Sequence, residues 1–361
     1  MRQRALFILL ATATLADDVS VGTLLVNRVD EAKKAVGIVV ATISPVRRTL
    51  AAYGSVAKDR PRTPDENTLF EIGSITKVFT SLILADMVER GEVTLDTPVG
   101  RLLPDSVKVP SRNGKQITLL DLSMQVSGLP RMPTNFRPAD FANPYADYDS
   151  ARLYEYLSGY TLARDVGEKY EYSNVGVGLL GNALARKAGM SYEALVRSRV
   201  LEPLGMKDTT VTLSAAQKER LASGYSASLV PVKNWDLDAL AGAGALRSTA
   251  ADMLKFLAAH LEIDDSLLKP AMRRMRSQRR STGTPGIDIL MGWHTLSRGG
   301  VEIIWHNGGT AGYRSFAGFD PVKRTGVVVL CNTSFDIDDI GRHILNPDFP
   351  APLLKAASVS K

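Results

Sequence analysis

The sequence predicts an α+β protein in which helices flank an antiparallel sheet and a mostly helical segment is inserted into the chain. Three observations predict it. Strand-like runs lie near both ends, at 35–45 and 47–58 and again at 287–296, 301–306, 314–320 and 325–332, and their short links make sequential neighbours antiparallel. The stretch 68–91, TLFEIGSITKVFTSLILADMVERG, repeats apolar residues at helical spacing on every face, as a buried helix does. The middle third carries helical patterns separated by proline-rich loops. With 361 residues, 45% hydrophobic and 23% charged, the chain can build a large core and two subdomains, and disordered and fibrous classes are excluded.

In chain order, MRQRALFILLATATLA at 1–16 has two arginines, an apolar run too short to span a bilayer, and small residues up to Ala16. It reads as a secretory signal peptide cut near Ala16, which places the mature protein in the periplasm or outside the cell. An uncleaved anchor or a buried first helix is the alternative. Residues 19–34 have helical periodicity, and the strands 35–45 and 47–58 meet at Ser44-Pro45. A helix from Ser74 to Arg90 would span about 25 Å at about 1.5 Å per residue, and it ends at Gly91. Residues 94–133 read as loops and short helices, and 151–162, 175–188 and 192–200 as helices. Past Trp235 come the small-residue run AGAGALRSTAAD, a helix over 249–261, a basic helix up to Arg280 and the four late strands. This order suggests one domain made of 17–95 and 235–361, a mostly helical domain over 96–234, and an active site between them.

Charge and cysteine content narrow the partners. Cys331, in VVVLCN, is the only cysteine, so no intramolecular disulfide can form, and apolar neighbours that raise a thiol pKa argue against a cysteine nucleophile. The net charge of +6 raises the question of nucleic acid, but its main basic run, RRMRSQRR at 273–280, has no interleaved aromatics and reads as a solvated helix face. A small-molecule substrate, with no nucleic-acid partner and no stable membrane insertion, fits better. Nothing in the sequence fixes an oligomeric state.

Three clusters of polar residues sit at element boundaries, where catalytic groups tend to lie. The first is Ser74 with Lys77, three apart on one helix face. A buried ammonium costs several kcal/mol unless it is paired or deprotonated, and activating Ser74 as a nucleophile would account for one here. The spacing also occurs at Ser55/Lys58, Ser266/Lys269 and Ser358/Lys361, but only Ser74 opens a buried helix. An N-capping Ser74 with Lys77 snorkelling to solvent is the alternative. The second cluster is Tyr172-Ser173-Asn174, at the start of an apolar helix, where packing and capping roles remain equally open. The third is His306-Asn307-Gly308-Gly309, at a strand end, where a structural histidine and a Gly-Gly hairpin turn are the alternatives. No Gly-x-Ser-x-Gly elbow is present, which disfavours a Ser-His-Asp hydrolase of the α/β type.

With these three clusters in this order, the chain resembles the class C serine β-lactamases and their relatives, the low-molecular-mass penicillin-binding DD-peptidases and the family VIII esterases. Ser74-Ile75-Thr76-Lys77, Tyr172-Ser173-Asn174 and His306-Asn307-Gly308 correspond to the family's three motifs, and LFEIGSITK, GLPR, PLGMKDT and RSTAADM strengthen the likeness. The resemblance implies a β-lactamase/transpeptidase-like fold, an α/β sandwich with an antiparallel sheet beside an all-helical domain. It implies that Ser74 is the nucleophile and that Lys77 and Tyr172 share the proton handling, with Tyr172 favoured as phenolate by nearby cations. Asn174 would orient Lys77 and the substrate amide, and the backbone N–H groups of Ser74 and Gly309 would form the oxyanion hole. His306, Asn307, Gly308 and Gly309 would contact substrate, and neither metal nor cofactor would be needed. The implied activity is acyl-enzyme hydrolysis of β-lactams or D-Ala-D-Ala-type peptides. A carboxylesterase acting on short acyl esters and a non-catalytic penicillin- or cell-wall-binding protein are the alternatives. Two departures bear on this: His306 stands where these relatives carry a lysine that meets the substrate carboxylate, and Ser123-Met124-Gln125-Val126 lacks the usual His-Thr before Ser-Gly-Leu-Pro. Arg314 and Asn332 are further cleft candidates, equally readable as turn and strand-end residues.

Overall fold

A computed structural model describes residues 15–350. The expected signal segment therefore lies almost wholly outside the described residues, as does the Ser358/Lys361 pair. The described chain opens with helix α1 (Leu15–Val26), followed by strands β1 (Gly37–Ile43) and β2 (Arg48–Gly54) and the short β3 (Phe70–Glu71). Helix α2 (Thr76–Glu89) leads into a largely helical stretch with one two-residue hairpin, β4 (Ser111–Arg112) and β5 (Lys115–Gln116). Its helices are α3 (Leu119–Ser123), α4 (Ser150–Gly159), α5 (Asn174–Ala188), α6 (Tyr192–Val196) and α7 (Ala215–Arg220). Then come α8 (Ala241–Gly244), β6 (Arg247–Ser248), α9 (Ala250–His260) and α10 (Lys269–Ser277). Strands β7 (Arg280–Thr284), β8 (Ile287–Ile289), β9 (His294–Arg298), β10 (Val301–Gly309), β11 (Arg314–Asp320) and β12 (Thr325–Cys331) and helix α11 (Asp338–Leu345) complete the fold.

Eight strands form one antiparallel sheet in the order β2-β1-β12-β11-β10-β9-β8-β7, so the first hairpin and the last strands do share a sheet. The register puts Ile38 opposite both Cys331 and Tyr53. Because side chains alternate across a strand, Ile38, Val40, Val327, Val329 and Cys331 join Leu25, Ile337 and Ile340 in one core, on the face covered by α1 and α11. Val39, Ala41, Val328 and Leu330 enter the other, larger core, which runs without a break through α2 and α9 into the helical stretch. β1 and β12 are thus apolar on both faces because helices cover both.

The body of α2 is buried from Thr76 to Met87 and is wrapped mainly by helices, with Phe79 stacked on Phe256 of α9 at 4.1 Å between ring centroids. Its N-terminal turn, rather than its length, docks on the sheet, against β10 and β11.

Two expectations need correction. The run 287–296 is two strands, because the chain turns back where Leu290 N donates to Trp293 O at 2.7 Å and Gly292 adopts φ +74°. Leu290, Met291 and Trp293 are all buried, so an unbroken apolar pattern hid the bend. The basic helix ends at Ser277, and Arg280–Thr284 forms the edge strand β7, whose mostly exposed polar residues carry no alternation to read. The basic run is largely neutralised: Arg273 and Arg276 bond Glu262, Arg274 bonds Glu89, and Arg279 bonds Glu302. No helix among the described residues is long and apolar enough to cross a membrane.

Candidate active site

The site is built where the turn before α2 meets the end of β10. Ile72 N donates to Leu246 O at 3.0 Å, and Ser315 Oγ donates to the Ile72 carbonyl at 2.8 Å, which ties this turn to both β11 and the segment before β6. Gly73 takes φ +49°, and a Cβ there would lie 2.7 Å from Gly309 N. A Cβ on Gly308 would overlap the Ile72 carbonyl. The paired glycines therefore lie inside β10 rather than in a hairpin turn, and the missing side chains of Gly308 and Gly73 let the strand reach the turn that carries Ser74.

Ser74 occupies a single 3-10 turn, Gly73–Ile75, and α2 begins only at Thr76. No side chain caps this start, so Ser74 is not an N-cap. Lys77 does not snorkel: it is fully buried, its Nζ donates to Ala243 O at 2.6 Å, and it sits 3.0 Å from Ser74 Oγ. Burial, and after it the charge of Arg131, holds the Lys77 pKa well below the ordinary lysine value. Once deprotonated, its lone pair can accept the Ser74 proton.

Tyr172 sits just before α5, its ring centroid 4.9 Å from Lys77 Nζ and its hydroxyl hydrogen-bonded to Ser74. Burial pushes its pKa up to about 12, outweighing the Ser74 hydrogen bond and the Arg131 charge, which lower it. The expected phenolate is therefore corrected: nearby cations do favour it, but desolvation of the anion costs more, and Tyr172 holds its proton. Ser173 takes the capping role, its Oγ accepting from Gly176 N at 2.9 Å, while its own N donates to Gln125 Oε1 at 2.8 Å. Gln125, from the segment that departs from the expected His-Thr, thus anchors the second motif. Asn174 lines the cleft with Ser74, but its Nδ2 donates to Met132 Sδ at 3.5 Å rather than contacting Lys77.

His306 is fully buried. Its Nδ1–H donates to the Asn307 carbonyl at 2.6 Å, and its Nε2 has no partner among the described residues. Burial first, then the nearby His294 and Lys77, drives its pKa well below the usual histidine value, so it is a neutral acceptor rather than a weak cation. His294, 2.8 Å from the Tyr170 hydroxyl, is likewise held neutral, lowered to about 4 by burial and Lys77. Asn307 points to the opposite sheet face, where its Nδ2 donates to Asp338 Oδ2 at 2.6 Å, so its side chain does not reach the substrate. Arg314 stacks its guanidinium over Gly309, its Nη1 donating to the carbonyls of Thr310 and Tyr313. Asn332 is a strand-end residue buried away from the cleft, bonding Gly37, Ser55 and Val56.

The cleft over Ser74 is narrow, with a cavity volume of about 30 Å³, and is walled by Tyr145, Trp235, Leu237 and Leu240 and by Gly309 and Thr310. The Tyr145 and Trp235 rings lie 5.1 Å apart. Sequence reasoning missed this apolar wall, the Ala243 carbonyl and Arg131. The run AGAGAL and the segment GLPR were the available signals, one for close packing and one for a loop after the helical stretch begins.

The β-lactamase family model matches residues 25–345. The chain belongs to the β-lactamase family. The D-alanyl-D-alanine-carboxypeptidase/endopeptidase AmpH of Escherichia coli (strain K12) is 30% identical over 316 residues, 83% of this chain and 80% of that protein. The β-lactamase of the same strain is 26% identical over 322 residues, 78% of this chain and 80% of that one. A class C β-lactamase structure superposes with a TM-score of 0.79 at 23% identity, over 94% of this chain and 98% of its own. A β-lactamase/D-alanine carboxypeptidase from Yersinia pestis gives 0.79 at 24% identity, over 92% and 98%. This β-lactamase-family chain therefore has the expected β-lactamase/transpeptidase-like α+β fold and groups with the class C β-lactamase and D-Ala carboxypeptidase-like serine hydrolases.

Proposed function

We propose that the protein is an exported serine hydrolase that forms an acyl-enzyme at Ser74 with β-lactams or D-Ala-D-Ala-type peptides. The observation that carries this is a fully buried Lys77 placed 3.0 Å from Ser74 Oγ, its pKa held well below the ordinary lysine value. Lys77 accepts the Ser74 proton as Oγ attacks the carbonyl. The backbone N–H groups of Ser74 and Gly309 hold the oxyanion, each such donor contributing on the order of 2.7–4 kcal/mol. Tyr172, protonated at neutral pH, donates to the leaving nitrogen and is reprotonated from Lys77; the reverse sequence activates water for deacylation. Asn174 reads the substrate amide, and His306 and Gly308 form the inner wall. The catalytic set needs no metal or cofactor. Residues 96–234 act as the helical domain that closes the cleft opposite 17–95 and 235–361, and the segment 1–16 directs export to the periplasm.

A second reading, a carboxylesterase on short acyl esters, is favoured by one observation: His306 is neutral and offers no charge to a substrate carboxylate. Incubation with a fluorescent penicillin followed by peptide mass spectrometry should place the label on Ser74, and an unlabelled protein would overturn penicillin recognition. Comparing turnover of nitrocefin with that of p-nitrophenyl butyrate then separates the two substrate classes.

A further inference from the structure

The loop 127–133 reaches the site without belonging to any of its three motifs. The Arg131 carbonyl accepts from Asn174 N at 2.9 Å, and Ser173 Oγ donates to Pro130 O at 2.6 Å, so the loop is fixed to the segment that carries Tyr172. The Arg131 guanidinium carbon lies 5.0 Å from the centroid of the Tyr172 ring, the same ring that Lys77 approaches from within the core. Its side chain is exposed and makes no ion pair among the described residues. Several nearby arginines are paired: Arg164 with Glu171, Arg199 with Asp86 and Glu92, and Arg247 with Glu71 and Asp236.

Around Ser74, then, the basic groups divide sharply. Burial lowers the pKa of Lys77 and holds His294 and His306 neutral, and His306 presents an orphan acceptor. A substrate anion finds nothing to pair with on that inner wall, and His306 Nε2 would repel it. Among the described residues, Arg131 is a positive charge beside Tyr172 that meets no carboxylate, on an exposed planar fork suited to bidentate carboxylate binding, whereas the Arg314 guanidinium over Gly309 is engaged by backbone carbonyls.

We infer that Arg131 is the residue that selects substrates carrying a carboxylate, taking it at the cleft mouth beside Tyr172. This rests on the acyl-enzyme reading for its catalytic consequence, but not for binding. The substrates of this site are therefore acyl compounds with a free carboxylate outside the scissile bond, and their neutral analogues are disfavoured. Raising the ionic strength weakens the preference because the contact is solvent-exposed.

The test uses a thioester bearing a free carboxylate and its carboxamide twin. The ratio of kcat/KM, carboxylate over carboxamide, should fall about tenfold in Arg131→Gln, the size expected when a hydrogen-bonded ionic partner is lost, chiefly through KM. Arg131→Lys should restore part of it, and added NaCl should erode the wild-type ratio but not that of Arg131→Gln. An unchanged ratio, including an equal loss on both compounds, which would mean that Arg131 only positions Tyr172 or tunes Lys77, overturns the inference. The same pair is titrated into Ser74→Ala and into Ser74→Ala/Arg131→Gln. A carboxylate preference in Kd that vanishes with Arg131 upholds the inference even if the wild type turns over neither compound, and failure of turnover alone then counts against the acyl-enzyme. Equal Kd ratios in the two proteins overturn it.

Discussion

Two buried basic side chains flank the turn that carries Ser74, and the fold treats them in opposite ways. Arg247, on β6, meets Glu71 at 3.5 Å and Asp236 at 2.9 Å and also donates to the Trp235 carbonyl at 2.7 Å. Lys77 has one backbone carbonyl and a serine hydroxyl, with no carboxylate among the described residues. A cation that only supports structure is given counter-charges because leaving it unpaired costs several kcal/mol. Lys77 receives none, and burial instead lowers its pKa well below the ordinary lysine value, the direction a general base beside a serine requires.

Substitutions that remove each charge should separate chemistry from stability. Lys77→Met, close in shape and apolar, should lower kcat/KM by about 10²–10⁴-fold while the melting temperature stays level or rises, as read by thermal unfolding. A Lys77 that merely filled the core would leave activity near wild type.

Arg247→Met should do the reverse, destabilising the fold by about 3–5 kcal/mol because it strands Glu71. Burial already raises the Glu71 pKa above its ordinary value against the pull of Arg247. A carboxyl with a raised folded pKa stabilises at low pH and loses that contribution as pH rises through it. The Arg247→Met loss measured by denaturant unfolding should therefore be larger at pH 8 than at pH 5.

A smaller effect, opposite in sign but likewise larger at high pH, is expected on the far face. Burial, then Asp336, pushes the Asp338 pKa up to about 7, against Arg342 and the Asn307 hydrogen bond. Its stabilising contribution is present at acid pH and fades as pH rises through 7, so Asp338→Asn should raise the melting temperature at pH 8 and change it little at pH 5.

The smallest effect is expected at His306. His306→Lys places an amine where a neutral imidazole stood, and KM for β-lactams should fall a few-fold while that for short esters barely moves. An equal shift in both would show that the residue does not sense the substrate's charge.

The comparison also shows which features were legible in the sequence. The helix carrying Ser74 and Lys77, the late strands and the three motifs are local patterns, and period and spacing reveal them. The bend at Gly292 was not legible because Leu290, Met291 and Trp293 stay apolar through it, and β7 was not because an exposed edge strand of Ser, Thr and Gly has no alternation. The direction of Asn307 was legible in principle, since it follows His306 in a strand and must face the other side. Arg131, Tyr145 and Trp235 come from loops and the Ala243 carbonyl from the short helix α8, all far along the chain, and only the packing brings them to Ser74. The protonation of Tyr172 depends on how burial weighs against nearby charge, a balance that residue order does not contain.

The proposed chemistry requires Lys77 to act as a neutral base for Ser74. The most direct test is the rate of Ser74 acylation by a fluorescent penicillin or a p-nitrophenyl ester, followed by mass spectrometry across pH in the wild type and in Lys77→Met. A base must be deprotonated to act, so the wild-type rate should rise with pH along an acid limb that lies well below the ordinary lysine value of 10.5. That limb should vanish, along with most of the rate, in Lys77→Met. An identical pH profile in the two proteins, or label on a residue other than Ser74, would contradict the claim.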